Sequence, residues 1–103
     1  MKNDYKIKYS SLFFDDLTKI ISYIKHELKN SVAANNLVNE VEKSILERLD
    51  CPTAYEAYKS LKNRKNTYYR IYIKNYTIFY VVKDNIMEVR RILYSKRNFK
   101  DTI

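Results

Sequence analysis

Glycine is absent from this chain of 103 residues, and proline, cysteine and histidine each occur once. A loop that cradles phosphates, of the Walker or dinucleotide type, needs glycines so that the backbone can approach its ligand. The lack of glycine therefore argues against a nucleotide-fuelled mechanism. The one cysteine, Cys51, cannot form an internal disulfide, and one histidine is too few for a Cys/His zinc cluster. We expect the protein to work without a metal or cofactor.

The single histidine also leaves nucleophilic catalysis without an evident base. A serine or cysteine nucleophile needs a neighbouring base, most often a histidine. The only histidine, His26, lies between Lys25 and Glu27, off the apolar stripe of its segment, so we expect it to face solvent. Cys51 stands next to Pro52, and we expect it to be a small buried hydrophobe and not a reactive thiol.

No apolar run is long enough to cross a membrane, and the N-terminal residues contain no hydrophobic stretch of the signal-peptide kind. We therefore expect a cytoplasmic protein. With 46% apolar and 31% charged residues, the composition is that of a globular domain and not of a disordered chain. The length predicts a single domain over residues 1–103 with one modest core.

Acidic residues are scarce in the second half of the chain. Residues 1–50 carry eight Lys/Arg and eight Asp/Glu, while residues 51–103 carry twelve and four, so the whole net charge of +8 lies in the second half. That half also holds eight of the eleven tyrosines, interleaved with cations in YYRIYIKNYTIFY and RRILYSKRNF. Cations neutralise phosphates, and exposed tyrosines can stack on bases, so the combination suits a nucleic-acid-handling surface. A tyrosine-rich sheet with solvated outer charges has the same composition, and this alternative stays open.

The first half predicts one strand and two helices. Residues 5–9 alternate lysine with tyrosine or isoleucine, which is the period of a half-exposed strand. Apolar residues recur at helical spacing over residues 11–29 and again over residues 34–49. Asn30 can take the left-handed conformation that ends a helix, and Ser31 can cap the next one. The tight connection predicts an antiparallel helical hairpin.

Polar residues mark the start of the first helix. Ser10 and Ser11 offer N-cap oxygens. Asp15 and Asp16 follow in the early turns, where negative charge suits the helix dipole, and we favour that role over metal binding.

The second half predicts a loop followed by a sheet. Residues 53–66 lack a clear periodicity and form a basic loop with room for one helical turn; its cations are Lys59, Lys62, Arg64 and Lys65. The following residues are rich in Tyr, Ile, Val, Phe and Thr. They predict three antiparallel strands over residues 67–73, 76–83 and 86–94. Asp84 and Asn85 suit the second hairpin turn because both tolerate positive φ. One sheet face should pack on the helices and leave the other free for function, giving an α+β fold.

The chemistry available to such a sheet comes from cations and tyrosines. RNA can be cleaved without a metal when the 2′-hydroxyl attacks the neighbouring phosphate, provided that the site stabilises the charged transition state and protonates the leaving oxygen. By strand alternation Tyr68, Arg70, Tyr72 and Lys74 share one face, and Tyr69, Ile71 and Ile73 share the face that meets the helices. Alternation also places four residues near the end of the last strand on a common face: Arg91, Leu93, Ser95 and Arg97. If that face is the free side of the sheet, Arg70, Arg91 and Arg97 converge there. The alternative is a charged sheet face that only keeps the protein soluble.

The order of elements, together with KNYTIFYVV and VRRILYSKRNF, resembles the RelE/ParE superfamily of bacterial type II toxins over nearly the whole chain. The most specific part is the end of the last strand, where a basic residue, an apolar pair, a Tyr or His, a small residue and a Lys/Arg pair follow one another. In this sequence they are Arg91, Ile92, Leu93, Tyr94, Ser95, Lys96 and Arg97. The resemblance implies a toxin held inactive by a co-expressed antitoxin and, for RelE-like members, cleavage of mRNA on the ribosome.

By position, the resemblance implies that Arg97 corresponds to the RelE-like active-site arginine after the last strand, and that Arg70 falls near a catalytic lysine on the second strand of the fold. We expect catalysis by these two residues, with Arg91 and Tyr94 as further candidates that could substitute for missing ones. We expect RNA binding by Arg64, Lys65, Tyr72, Lys74 and Lys96. Two features depart from the ribonuclease pattern: Thr77 stands where ribonuclease members often place an arginine, and the sequence stops at Ile103 without their C-terminal tyrosine.

Those departures keep two other functions open. The ParE-like branch of the superfamily poisons DNA gyrase by binding it, without nuclease chemistry, and a third possibility is an inactive member that only binds an antitoxin. In every case the partner is an antitoxin, and a surface of charge +8 should attract an acidic segment of it. The ribosome-dependent mRNA endoribonuclease is the function that the sequence favours, because Arg70, Tyr94, Lys96 and Arg97 supply the needed residue types.

Overall fold

The computed structural model of the chain describes residues 4–58 and 67–96. Its elements follow the predicted order of strand, two helices and sheet. They are β1 (Lys6–Tyr9), α1 (Ser11–Ser22), a π-helix (Tyr23–Glu27), α2 (Ser31–Arg48), β2 (Ala57–Tyr58), β3 (Tyr68–Ile73), β4 (Tyr76–Lys83) and β5 (Ile86–Tyr94). The α+β prediction is thus confirmed, and the three long strands begin and end within one residue of their predicted bounds.

The start of α1 is tied to the sheet by its cap. Ser10 accepts a hydrogen bond from the backbone N–H of Phe13 at 3.2 Å, as predicted for an N-cap, and donates one to the carbonyl of Arg90 at 2.7 Å. No acidic residue lies in the first turn of α1, and Asp16, which we expect from the sequence to serve the helix dipole, contacts the sheet instead.

The connection between the helices differs from the prediction by one residue. The first helix ends in a π-helix, and Lys29, not Asn30, takes the left-handed conformation, with φ of 51°. Asn30 then caps α2 by accepting a hydrogen bond from the N–H of Ala33 at 3.0 Å, a role that we had given to Ser31. Because Asn30 and Ser31 are both good capping residues, the sequence alone left the choice open.

The sheet has five strands in the order β1-β5-β4-β3-β2. The pairs β2–β3, β3–β4 and β4–β5 are antiparallel, and β1 lies parallel to β5. Asp84 and Asn85 form the β4–β5 turn at φ of 53° and 62°, as predicted. A bulge interrupts the β4–β5 register between Phe79 and Tyr80 and leaves Arg90 as the extra residue of β5.

The core lies between the helices and one face of the sheet. Its buried residues come from α1, the π-helix and α2 on one side and from β3, β4 and β5 on the other. They are Phe13, Ile24, Ala34, Leu37, Val41, Ile45, Ile71, Ile73, Ile78, Tyr80, Met87, Val89 and Ile92. The predicted inward set of β3 is therefore confirmed, since Tyr69 also packs against this cluster.

Two local predictions were wrong. Cys51 is exposed, because it follows the last turn of α2 and is not part of its buried stripe, whereas the neighbouring Pro52 is buried. Part of the predicted basic loop is a strand, since Ala57 and Tyr58 pair with the start of β3. Within the described residues, no helix has the length and apolarity needed to cross a membrane.

Candidate functional site

The second face of the sheet carries most of the residues that the sequence assigned to function. Arg70, Phe79 and Arg91 form one row across β3, β4 and β5 by direct register. Neighbouring strands are about 4.8 Å apart, so the Cα atoms of the two arginines lie about 10 Å from one another. Phe79 separates them.

The middle of this face is buried, contrary to the expectation of a free face. Thr77 and Phe79 have no exposed surface, Val81 is 3% exposed, and Leu93 packs against Phe79 and Tyr68 in a second apolar cluster. The hydroxyls of Thr77 and Ser95 also form a hydrogen bond, with their oxygens 2.8 Å apart. The cations on β3 and β5 therefore lie on either side of a buried, mostly apolar strip and do not line an open groove.

Arg91 is held by a carboxylate of the first helix. Its Nε and Nη2 donate to the two carboxylate oxygens of Asp16 at 2.7 and 2.8 Å. The backbone N–H of Ile92 donates to the same carboxylate at 3.2 Å, beyond the point where β1 stops pairing with β5. The side chains of Arg91 and Asp16 are only 18% and 11% exposed. The hydrogen bond to Asp16 raises the pKa of Arg91, so its charge is permanent and already balanced.

Arg90 is also paired. Its Nε donates to Glu88 at 2.6 Å, and its Nη1 donates to the hydroxyl of Tyr68 at 3.3 Å. Burial lowers the pKa of this guanidinium, but the hydrogen bond to Glu88 and the contacts with Tyr68 outweigh burial and raise it. Glu88 meets Lys8 at 3.9 Å as well. The basic residues at the bulge are thus part of a hydrogen-bonded ion-pair network.

Two residues on one face of β3 remain accessible: Arg70 and Tyr72, here called the β3 stripe. Tyr72 is 64% exposed, and the Arg70 guanidinium lies 5.4 Å from the centre of its ring. Lys74, predicted to share this face, lies in the turn after β3 and forms a loose, exposed ion pair with Glu40 of α2 at 3.8 Å, so its side chain reaches toward the helices. An exposed ring beside an arginine can bind a nucleic acid by stacking and charge, or bind a protein surface.

The other predicted site residues lie apart from the β3 stripe. Tyr94 pairs with Tyr76 across the sheet, with ring centres 6.1 Å apart, and so lies on the face that packs on the helices. Lys96 is exposed after the end of β5. Arg64, Lys65 and Arg97 lie outside the described residues. Among the described catalytic candidates, only Arg70 and Arg91 share a face.

Arg48 is a site residue that sequence reasoning missed. Its Nη1 donates to the carbonyl of Arg70 at 2.9 Å and to the hydroxyl of Tyr80 at 3.0 Å, and its guanidinium stacks 3.5 Å from the ring centre of Tyr55. Tyr80 in turn donates to the carbonyl of Pro52 at 2.6 Å. A cation in the last turn of a helix is ordinarily explained by the helix dipole, so no sequence signal marked this one. The network fixes the strand that carries the β3 stripe.

Replacing Tyr80 by phenylalanine should lower the free energy of unfolding by about 2 kcal/mol, because it leaves the buried carbonyl of Pro52 without its donor. Burial raises the pKa of Tyr80, so the folded state favours the protonated phenol. Its contribution to stability is complete below the ordinary tyrosine pKa of about 10 and is lost as the pH rises through the higher folded-state pKa. Denaturant unfolding between pH 8 and 11 should therefore show a loss at high pH that Tyr80→Phe reduces.

Tyr55→Phe is the matched control, since Tyr55 is 50% exposed and keeps its ring on Arg48. It should change stability by less than about 0.5 kcal/mol. Equal effects of the two substitutions would contradict the role given to the Tyr80 hydroxyl.

The described residues contain no group of three or more His, Cys, Asp or Glu side chains that could hold a metal ion. A family model described as the ParE toxin of the type II toxin–antitoxin system parDE matches residues 7–99. The chain belongs to this toxin family, within the RelE/ParE superfamily. The toxin therefore has an antitoxin as its partner, in agreement with the resemblance that its sequence shows.

One solved structure supports the fold, and a second gives a weaker match. The isolated RelE toxin of E. coli superposes with a TM-score of 0.59 at 16% sequence identity, over 91% of this chain and 87% of that one. The RelB–RelE antitoxin–toxin complex from Methanococcus jannaschii matches with a TM-score of 0.45 at 22% identity, over 86% of this chain and 91% of that one. No curated protein sequence matches significantly.

Proposed function

We propose that this toxin arrests growth by binding DNA gyrase, and that it does not cleave RNA. The observation that carries the proposal is the state of Arg91, whose Nε and Nη2 both donate to Asp16. A ribonuclease arginine must offer its N–H groups to a phosphate as charge develops in the transition state. Arg91 offers those donors to a carboxylate of its own fold, which suits a structural role.

Three tyrosines of β4 and β5 support the same proposal. Burial raises the pKa of Tyr76 and of Tyr80 above the ordinary value of 10, further from neutrality. A general acid or base acts best when its pKa lies near the working pH. Tyr94, the tyrosine that the resemblance placed in the site, lies on the opposite face from Arg70. The family match to a ParE toxin also favours the gyrase-binding branch.

The β3 stripe is the surface that would contact the target. Tyrosine and arginine dominate the binding energy of protein interfaces, and Tyr72 presents its ring outward beside Arg70. The second candidate, a ribosome-dependent mRNA endoribonuclease, rests on the same stripe, because an exposed ring beside an arginine also suits single-stranded RNA. The two candidates differ in whether a bond in RNA is broken.

Brief induction of the toxin in growing cells separates the candidates. Primer extension on abundant mRNAs should give no new 5′ ends, while gyrase trapped on broken DNA should accumulate and induce a DNA-damage response. Tyr72→Ala, tested in parallel, should weaken the arrest, because it removes the exposed ring of the β3 stripe. Cuts within translated codons would instead establish the ribonuclease.

The antitoxin should present an acidic segment to the toxin, since opposite charge steers association with a surface of net charge +8. Salt screens exposed charges. The dissociation constant, measured by titration calorimetry, should therefore rise at least tenfold between 50 and about 500 mM salt. An affinity that does not change over this range would contradict an acidic contact.

A further inference from the structure

Exposed apolar side chains converge on one cleft at the end of the molecule away from the β4–β5 turn. Tyr23 and Leu28 lie on the helical side of the cleft, 54% and 57% exposed, and Tyr94 lies on the sheet side, 45% exposed. The cleft has a volume of about 600 Å³. Ligand-binding clefts have volumes of roughly 300–1,000 Å³, so several side chains of a partner can enter this one.

The π-helix forms one wall of the cleft. The N–H of Leu28 donates to the carbonyl of Tyr23 at 3.2 Å, so these two residues flank the widened turn, while Ile24 between them is buried in the core. Lys29 follows in the left-handed conformation, which costs a residue with a long side chain about 1 kcal/mol. π-Helices are rare and are frequently found at functional sites. A distorted, exposed helix end is therefore a second sign of a binding site.

The polar groups of the cleft can all donate hydrogen bonds: they are the ammonium of Lys19, the amide of Asn75 and the hydroxyls of Tyr23, Tyr76 and Tyr94. Lys19 carries the one formal charge among the described lining residues. Burial, with the nearby phenols of Tyr23 and Tyr94, raises the pKa of Tyr76, so its hydroxyl keeps its proton at neutral pH. An ammonium group and phenols beside apolar walls match a partner with carboxylates next to aliphatic side chains.

We infer that this cleft is the docking site for an acidic, amphipathic segment of the antitoxin. The inference rests on the toxin assignment, and it deepens the proposed acidic contact by giving it a location. Apolar side chains of the segment enter between Tyr23, Leu28 and Tyr94, and its carboxylates meet Lys19. The cleft opens on the helix side of the sheet, opposite the β3 stripe, so antitoxin and target use separate surfaces.

Leucine substitutions at two equally exposed positions test the inference. The antitoxin used is the co-expressed protein that restores growth to cells making this toxin. Leu28→Ala should raise its dissociation constant at least tenfold, because alanine buries less apolar surface in the complex than leucine does. Leu46→Ala is the matched control, because Leu46 is 50% exposed on α2 outside the cleft, and it should change the constant less than twofold. Lys19→Glu should weaken binding at least tenfold, because it reverses the charge that meets the carboxylates of the segment.

Growth arrest by each variant without antitoxin separates this inference from the target proposal. Leu28→Ala and Lys19→Glu should arrest growth like the wild type yet escape neutralisation. Variants that bind the antitoxin normally but no longer arrest growth would overturn the inference, because the cleft would then bind the target. Equal losses of affinity for Leu28→Ala and Leu46→Ala would also overturn it. If the wild type proves to cut mRNA, the gyrase proposal fails, but the comparison of antitoxin affinities still tests the cleft.

Discussion

Asp16→Ala is expected to lower the free energy of unfolding by roughly 3 kcal/mol, because it breaks a largely buried ion pair from one side. Arg91 would keep its charge with its guanidinium only 18% exposed, and the N–H of Ile92 would lose its acceptor. For a domain of this size such a change lowers the melting temperature by roughly 10–20 °C. Thermal and urea unfolding would both report it.

Asp15→Ala is the control for this prediction, since Asp15 is the exposed neighbour of Asp16 on the same helix. It should alter stability by less than about 0.5 kcal/mol. Asp16→Asn should lower the free energy of unfolding by an amount between those of Asp15→Ala and Asp16→Ala. An amide can still accept a hydrogen bond from the N–H of Ile92, but it no longer balances the charge of Arg91. If Asp16→Ala proves as mild as Asp15→Ala, Arg91 is not held as described and becomes available for catalysis again.

Thr77→Arg is expected to destabilise the fold by about 3 kcal/mol or more. Thr77 has no exposed surface, and its hydroxyl bonds to Ser95, so an arginine there would be overpacked and would bury an unpaired charge. This is the position at which ribonuclease relatives often carry an arginine. Urea unfolding of the variant measures the cost of restoring that residue.

Thr67→Arg adds the same charge at an exposed position one residue before β3 and should change stability by less than about 0.5 kcal/mol. Comparable stability of the two variants would show that the second sheet face can open to admit an arginine. Cleavage of mRNA by a folded Thr77→Arg variant would go further and revive the ribonuclease interpretation.

The three long strands could be predicted from sequence because their pattern is local. Alternation placed Tyr69, Ile71 and Ile73 toward the helices, and Asp84 with Asn85 marked a turn that needs positive φ. The position of each strand within the sheet was harder to predict from the sequence. The parallel pairing of β1 with β5 joins residues 80 apart in sequence, such as Lys6 and Ile86, and no local pattern encodes it.

The site was harder to predict because its contacts are tertiary. Asp16 and Arg91 are 75 residues apart, and an aspartate near a helix start already has a local explanation in the dipole. The bulge at Arg90 and the π-helix each insert a residue without a glycine or proline to mark it. Tyr94 could have been placed, since its alternation with Arg91 and Leu93 predicts the opposite face.

Supercoiling of relaxed plasmid by purified gyrase, measured with and without the purified toxin, decides between gyrase binding and RNA cleavage. We expect the toxin to inhibit supercoiling, Tyr72→Ala to need at least tenfold more protein for the same inhibition, and mRNA on translating ribosomes to stay intact at those concentrations. Unimpaired supercoiling together with cleavage of ribosome-bound mRNA would contradict the gyrase proposal.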